Sequence, residues 1–285
     1  TTETIVSTIS KYLAPAVKGI EIWNFDALHH AMDRAISPGV TTGSPLAKSA
    51  IDIAMHDALG HALNVPVYQL MGGCRRKTFD LSWMISVSDP SQAGQLAEEG
   101  RTILVDANRG YRLAAAKRQA RHFADLNVSL FEQPLDGFNL SGYRTLAASS
   151  CVEIGIDESL RSVADLVEYA RADAIHVAVA KLQRNGGFHR SRQLCQTAEA
   201  AGLGLSMSGL TETDLGLAAS LHLAAAFGIS PLQLNGPQYI ESPFLSTRVW
   251  KGGGQVNLPE GPGLGVDVDE SWVRNHAVGV SLEHD

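Results

Sequence analysis

Apolar positions recur at helical spacing through roughly the first 70 residues, in IVSTISKYLAPAV and again in LAKSAIDIAMHDALGHAL, and the second run stops ahead of Asn64 and Pro66. This part is predicted to be all-helical. The rhythm changes at DLSWMISV. From there, short runs rich in Val, Ile and Leu are each followed by a stretch of helical period: TILVDAN, SLFEQP, VEIGIDES, AIHVAVAK, LGLSMSG and PLQLNG. Strands buried on both faces read as continuous apolar runs, and their alternation with amphipathic helices predicts βα units around a parallel sheet. The strand ends recur at nearly constant spacing. Asp106 to Glu132 is 26 residues, Glu132 to Asp157 is 25 and Asp157 to Lys181 is 24. One βα unit takes about that length, so these four polar residues are expected at the C-terminal ends of successive strands, where barrel enzymes carry their chemistry.

The same count exposes an irregularity. Seven strands are predicted, whereas a closed barrel of this kind takes eight. Only 19 residues separate Val87 from Asp106. They accommodate the helix QAGQLAEEG and one strand, but not the further βα unit that belongs between them. The junction EEG–RTIL therefore reads as a place where a few tens of residues are missing relative to the other units. A truly shortened barrel would leave strand edges unpaired, which is costly, so an omitted segment is expected instead.

The strand ends also carry the candidate chemistry. Three acidic residues at successive barrel strand ends converge near one point, and carboxylate oxygens with water are what a hard octahedral cation such as Mg²⁺ prefers. Asp106, Glu132 and Asp157 are the candidate metal ligands. Any one of them alone is as readily a helix cap, but a capping role does not explain three in register. Lys181 follows at the next strand end, in an apolar setting that tolerates a charge only beside an anionic neighbour or substrate. Its pKa is expected to fall enough for proton exchange near neutral pH; the plain alternative is a lysine that snorkels to the barrel mouth.

Composition narrows the partners. The chain has 285 residues, 45% hydrophobic and 19% charged, enough for one large core or a barrel with a smaller module. Its net charge of -7, from 30 acidic against 23 basic residues with no long basic block, excludes a nucleic-acid surface and a polybasic membrane patch. A small-molecule partner is expected. Cys74, Cys151 and Cys195 are far apart and in no CxxC pair, so reduced thiols and a cytoplasmic setting are expected. Neither a secretion signal nor an apolar stretch of 18 residues is found.

Together VDANRGY, FEQPL, IGIDESL, AKLQRNGG and the earlier SAIDIAMHDALGHALNVPVYQLMGG resemble the enolase superfamily, in its mandelate racemase/muconate lactonizing enzyme subgroup. The resemblance runs from about residue 10 to about residue 270, in motif order and spacing as well as content. It implies an α/β fold, a TIM-like (β/α)7β barrel with an α+β capping domain. The helical part of the N-terminal capping domain would be 1–75, the barrel with its metal site 76–250, and 251–285 a C-terminal segment returning to the capping domain. It further implies Mg²⁺ on Asp106, Glu132 and Asp157, with Lys181 as an acid/base group. The substrate would be a small carboxylate whose α-proton is removed to an enediolate stabilised by the ion. Within that chemistry a muconate-type cycloisomerase or a racemase/epimerase is expected. A hydroxy-acid dehydratase and a metal-binding but inactive homologue are the alternatives. LNGPQ at the last strand end departs from the DxD pattern of dipeptide epimerases, which lowers that option. Homo-oligomers are expected from the family.

Two family features are not found. A second lysine, in a KxK motif, belongs on the second barrel strand, which is the missing one; without it, two-sided chemistry such as racemisation is disfavoured. The family's three-stranded N-terminal sheet, with its specificity loop, is expected ahead of Thr1. The resemblance also singles out Glu212, in SGLTETDLG, as a glutamate near the substrate, although a glutamate one turn into a helix serves equally as a cap partner. Asn108 is a candidate hydrogen-bond partner for a carboxylate held at the metal, or a strand-exit turn residue. Glu158 is a candidate partner for Lys181. His176 and His222 read as core or rim histidines, and Gly252, Gly253 and Gly254 as a hairpin rather than a phosphate cradle.

Overall fold

A computed structural model describes residues 1–39, 41–82 and 103–277. The helical opening follows the apolar period. Helix α1 (Thr2–Thr8) starts where Thr1 Oγ1 accepts the Thr4 N–H, and runs through a π-type turn (Ile9–Leu13) into α2 (Ala14–Val17). Asn24 caps α3 (Phe25–Ala35) by accepting the Ala27 N–H at 3.1 Å. The long α4 (Pro45–Leu63) has proline in its first turn and ends at Asn64 in the left-handed conformation, as the sequence predicts, before the short α5 (Val67–Leu70). Leu13, Leu28, Met32 and Ala47 form a small core of their own among these helices.

The rest is built around parallel strands. Strand β1 (Thr78–Asp80) is followed by β2 (Ile103–Asp106), α6 (Leu113–Asp125), β3 (Val128–Glu132), α7 (Leu140–Ala147) and β4 (Glu153–Ile156). Then come α8 (Val163–Arg171), β5 (Val177–Ala180), α9 (Phe188–Ala200), β6 (Gly204–Ser208), α10 (Asp214–Phe227) and β7 (Leu232–Gln233). The chain closes with β8 (Gln255–Asn257) and α11 (Glu270–His276). Strands β2 to β7 form one parallel sheet in chain order, as consecutive βα units dictate. The sheet curls. Leu81 bridges Leu232 in parallel, and the Ser82 N–H donates to the Leu232 carbonyl at 2.8 Å, so the segment that opens DLSWMISV joins the far edge at β7. Helix α10 (DLGLAASLHLAAAF) is buried almost all round, which is why its sequence has no polar face, and His222 on it is a core residue accepting the Tyr68 N–H at 3.3 Å.

Two readings need revision or lie beyond view. Gly252, Gly253 and Gly254 do not turn a local hairpin. They lead into β8, which pairs antiparallel with the distant β1, and the Gly254 carbonyl accepts the Leu81 N–H at 2.8 Å. The three glycines allow a loop, two of them at positive φ, but a long-range partner and not a neighbouring strand takes the next residues. The EEG–RTIL junction, the helix QAGQLAEEG and the later part of DLSWMISV lie outside the described residues.

The tail packs on helices α4 and α5. Gly263 bridges Pro66, its carbonyl accepts the Val67 N–H at 2.9 Å, and the Leu264 N–H donates to Asp57 Oδ1 at 2.7 Å. A Cβ added at Gly60 of α4 would lie 2.7 Å from Gly263 Cα and 2.8 Å from the Val65 carbonyl, so helix and tail meet backbone to backbone. Gly→Ala inside a helix ordinarily gains up to ~1 kcal/mol. Gly60→Ala is expected to reverse that sign and destabilise by about 1–3 kcal/mol, read as a lower urea midpoint; equal or greater stability would refute this close contact.

Candidate active site

Four polar side chains share one rim because the strands that carry them end in step. Asp106 and Glu132 are the last residues of β2 and β3 and stand opposite each other in register, while Asp157 and Lys181 directly follow β4 and β5. One oxygen from each of Asp106, Glu132 and Asp157 falls within 4.8 Å of the others. Among the described residues, these form the one cluster of metal-binding side chain types with that geometry. Glu132 and Asp157 are each only 1% exposed, whereas Asp106 reaches solvent at the barrel mouth.

Donors divide the three carboxylates unequally. Asp157 takes both cations: Lys181 Nζ lies 2.6 Å from its Oδ2, and Arg184 Nη1 bonds its Oδ1. Glu132 has no cation in contact and receives a neutral donor, Gln233 Nε2, at 2.8 Å on Oε2; its Oε1 is buried without a partner. Burial, reinforced by the charge of Asp157, pushes Glu132 up to about 8. Asp106 also lies above the usual carboxylate value, chiefly through partial desolvation, although the Asn108 N–H donates to its Oδ1 at 2.9 Å. A buried carboxylate oxygen lacking any donor is costly, and a cation is a fitting partner for it. Three oxygens without thiol or imidazole suit a hard divalent ion.

The flanking candidates have differing surroundings. Glu212 is 8% exposed; the Leu210 N–H donates to its Oε1 at 3.2 Å, its Oε2 has no partner, and burial raises it to about 7. Gly236 is required beside it, since a Cβ there would lie 1.8 Å from the Glu212 carbonyl oxygen. Asn108 is a strand-exit turn residue with φ +42°, acting on Asp106 through its backbone N–H and its side chain. Glu158 is not where the sequence suggested. The ion pair of Lys181 is with Asp157, while Glu158 Oε2 is buried and unpartnered and burial raises its carboxyl. His176 ties two strands by accepting the Ile154 N–H at 2.9 Å on Nδ1.

Sequence reasoning missed the residues that hold these groups. Gln133, fully buried, accepts the Asp157 N–H at 2.9 Å and the Ser159 N–H at 3.2 Å, and donates to the Tyr143 hydroxyl at 2.7 Å. It locks the end of β3 to the end of β4. Asp52 of α4 accepts the N–H groups of Phe188 and His189, which open α9 directly behind the Lys181 to Arg184 loop. Burial alone would raise Asp52, but hydrogen bonds from His29 and His56 outweigh it and hold it at about 2. The signals were present, in EQP and in SAID, but neither announces a buried hydrogen bond to a segment far along the chain.

Comparison with known proteins bears on this arrangement. Residues 49–272 match the model of the enolase C-terminal domain-like family, and residues 1–72 that of the mandelate racemase/muconate lactonizing enzyme N-terminal domain. The chain belongs to the mandelate racemase/muconate lactonizing enzyme family. A chloromuconate cycloisomerase of Pseudomonas putida is 29% identical over 310 aligned positions, covering 96% of this chain and 82% of the relative. The N-succinyl-L-Arg/Lys racemase of Bacillus cereus is 26% identical, covering 97% and 82%. The solved muconate lactonizing enzyme from Pseudomonas putida superposes with a TM-score of 0.86 at 26% identity, over 96% of this chain and 85% of that one. Like them, the chain is an enolase-superfamily enzyme with the TIM-barrel fold of the family. The 310 aligned positions exceed the 285 residues of the chain, so the cycloisomerase carries segments with no counterpart here.

The raised carboxyls of this family member make its stability pH-dependent. Without a cation, folded Glu132 keeps its proton to about pH 8, whereas unfolded it loses it near 4.5. Between those values the folded state binds the extra proton, so this group's contribution to stability falls as pH rises from about 4.5 to about 8 and is level above. A divalent ion selects the ionised form. The gain in melting temperature on adding MgCl₂ over EDTA is therefore expected to widen from about pH 5 to about pH 8; a gap independent of pH would contradict it.

Proposed function

We propose that the chain is a Mg²⁺-dependent isomerase that removes the proton α to a carboxylate, specifically a cycloisomerase of the muconate type. The observation that carries this reading is the cluster of three carboxylate oxygens within 4.8 Å with an ammonium group 2.6 Å from one of them. Asp106, Glu132 and Asp157 would hold the ion. When bound there, Mg²⁺ supplies electrostatic stabilisation of the charge that develops on a substrate carboxylate. Lys181 is assigned the exchange of the proton at the substrate α-carbon, and Asp157 keeps its amine on the rim. Glu212, raised to about 7, is suited to holding a proton near neutral pH.

The names of the relatives favour this class, since cycloisomerases of chloromuconate and muconate recur among them beside the racemase. Racemisation requires a proton-transfer group on each face of one carbon. The sequence has no KxK motif, which belongs at the EEG–RTIL junction where a segment is expected to be omitted; Lys181 is the lysine at the described rim and suffices for one-sided chemistry. The same missing motif favours, as a second reading, a homologue that binds metal without turnover. Three unpaired cysteines fit a reducing compartment such as the cytoplasm, and no described helix is long and apolar enough to cross a membrane.

Exchange of the α-proton of muconolactone in D₂O with Mg²⁺, followed by NMR, separates the two readings. Asp157→Asn is expected to abolish Mg²⁺ binding and exchange together. Lys181→Ala should keep Mg²⁺ binding while exchange falls by about 10²–10⁴-fold. Intact exchange in either variant would refute the assignment, and no exchange in the parent protein, with Mg²⁺ bound, would select the inactive homologue.

A further inference from the structure

We infer that Gln233 is a positioning residue for the metal site: its side-chain amide crosses the barrel interior and fixes Glu132 so that one carboxylate oxygen is held and the other is left for the cation. The inference rests on the metal reading above.

The two oxygens of Glu132 are in opposite situations. Oε2 accepts from Gln233 Nε2 at 2.8 Å, and Oε1 is buried with no partner. Terminal torsions of glutamate are broad, so a carboxylate lacking that bond could turn either oxygen toward any donor in the barrel. Gln233 closes β7 and Glu132 closes β3, with β4, β5 and β6 between them in the sheet. The bond is therefore a strut across the curled sheet and not part of a strand ladder. The same nitrogen lies 3.3 Å from Ser206 Oγ on β6, a longer and secondary contact beside the 2.8 Å bond to Glu132. Residue type matters as well. Lys181 and Arg184 both spend their charge on Asp157, whereas a neutral amide holds Glu132 without cancelling the charge an ion needs. Glutamine reaches across; asparagine is one methylene shorter.

The test is calorimetric titration of the full chain with Mg²⁺, for the parent protein and for Gln233→Met, Gln233→Asn and Ser206→Ala. Both Gln233 variants are expected to bind about 10–100-fold more weakly. Ser206→Ala should stay within about threefold of the parent, because the bond to Glu132 is retained. If Gln233→Met fails to fold, Gln233→Asn carries the test. Parent-like affinity in a folded Gln233 variant would overturn the inference while leaving the metal reading intact. So would an equal loss in Ser206→Ala, which would indicate general loosening of the barrel. No saturable Mg²⁺ binding by the parent would overturn the metal reading itself, and this inference with it.

Discussion

Carboxylates gathered at one end of a parallel barrel repel one another, and much of the structure around them holds that repulsion in place. At the separation found here, within 4.8 Å, two unit charges in a protein-like dielectric oppose each other by on the order of 3 kcal/mol. Each carboxylate meets the cost differently. Asp157 draws on Lys181 and Arg184, Asp106 on solvent and a backbone N–H, and Glu132, as enclosed as Asp157 but with no cation in contact among the described residues, keeps its proton up to about pH 8. An arrangement that leaves one buried carboxyl neutral until a cation arrives is poised for a divalent ion and is poor as a purely structural network.

Holding the charges in register takes anchors far from them. Gln133 joins the ends of two strands by accepting backbone N–H groups from Asp157 and Ser159, so the separation of Glu132 and Asp157 does not rest on side-chain rotamers alone. Asp52 does the equivalent at longer range: one buried carboxylate on α4 fastens the start of α9, and with it the loop that carries Lys181 and Arg184. The tail grips the same helix at Gly60. Helical region, barrel and tail thus share contacts with α4.

The sequence made the periodic part legible. Runs such as VAVA and VSLFE read as buried strands between amphipathic helices, and the 24 to 26 residue spacing of Asp106, Glu132, Asp157 and Lys181 places them on one rim. What was not legible has one physical cause, pairing between distant segments. Nothing local to GGGQVN reveals that it meets Thr78–Asp80, and so the glycines read as a hairpin. Nothing in PLQLNG reveals that Gln233 faces Glu132 across the barrel. Glu158 was misjudged for a related reason: adjacent residues at a strand exit point in different directions, and only Asp157 turns toward the lysine.

Charge balance connects this centre to its proposed substrate. With Glu132 ionised, the three ligand carboxylates face one divalent ion, Lys181 and Arg184, a single positive charge in excess over that set, with Glu158 and Arg109 as an opposed pair of charges beside it. Glu212 does not cancel it at lower pH, because its burial keeps it neutral up to about 7. An excess of that sign attracts an anion, and enclosure by a low-dielectric barrel amplifies the attraction. Placed on Glu132, either cation would take up the oxygen that is buried without a partner; on Asp157 each takes one oxygen of a carboxylate that faces the same cluster.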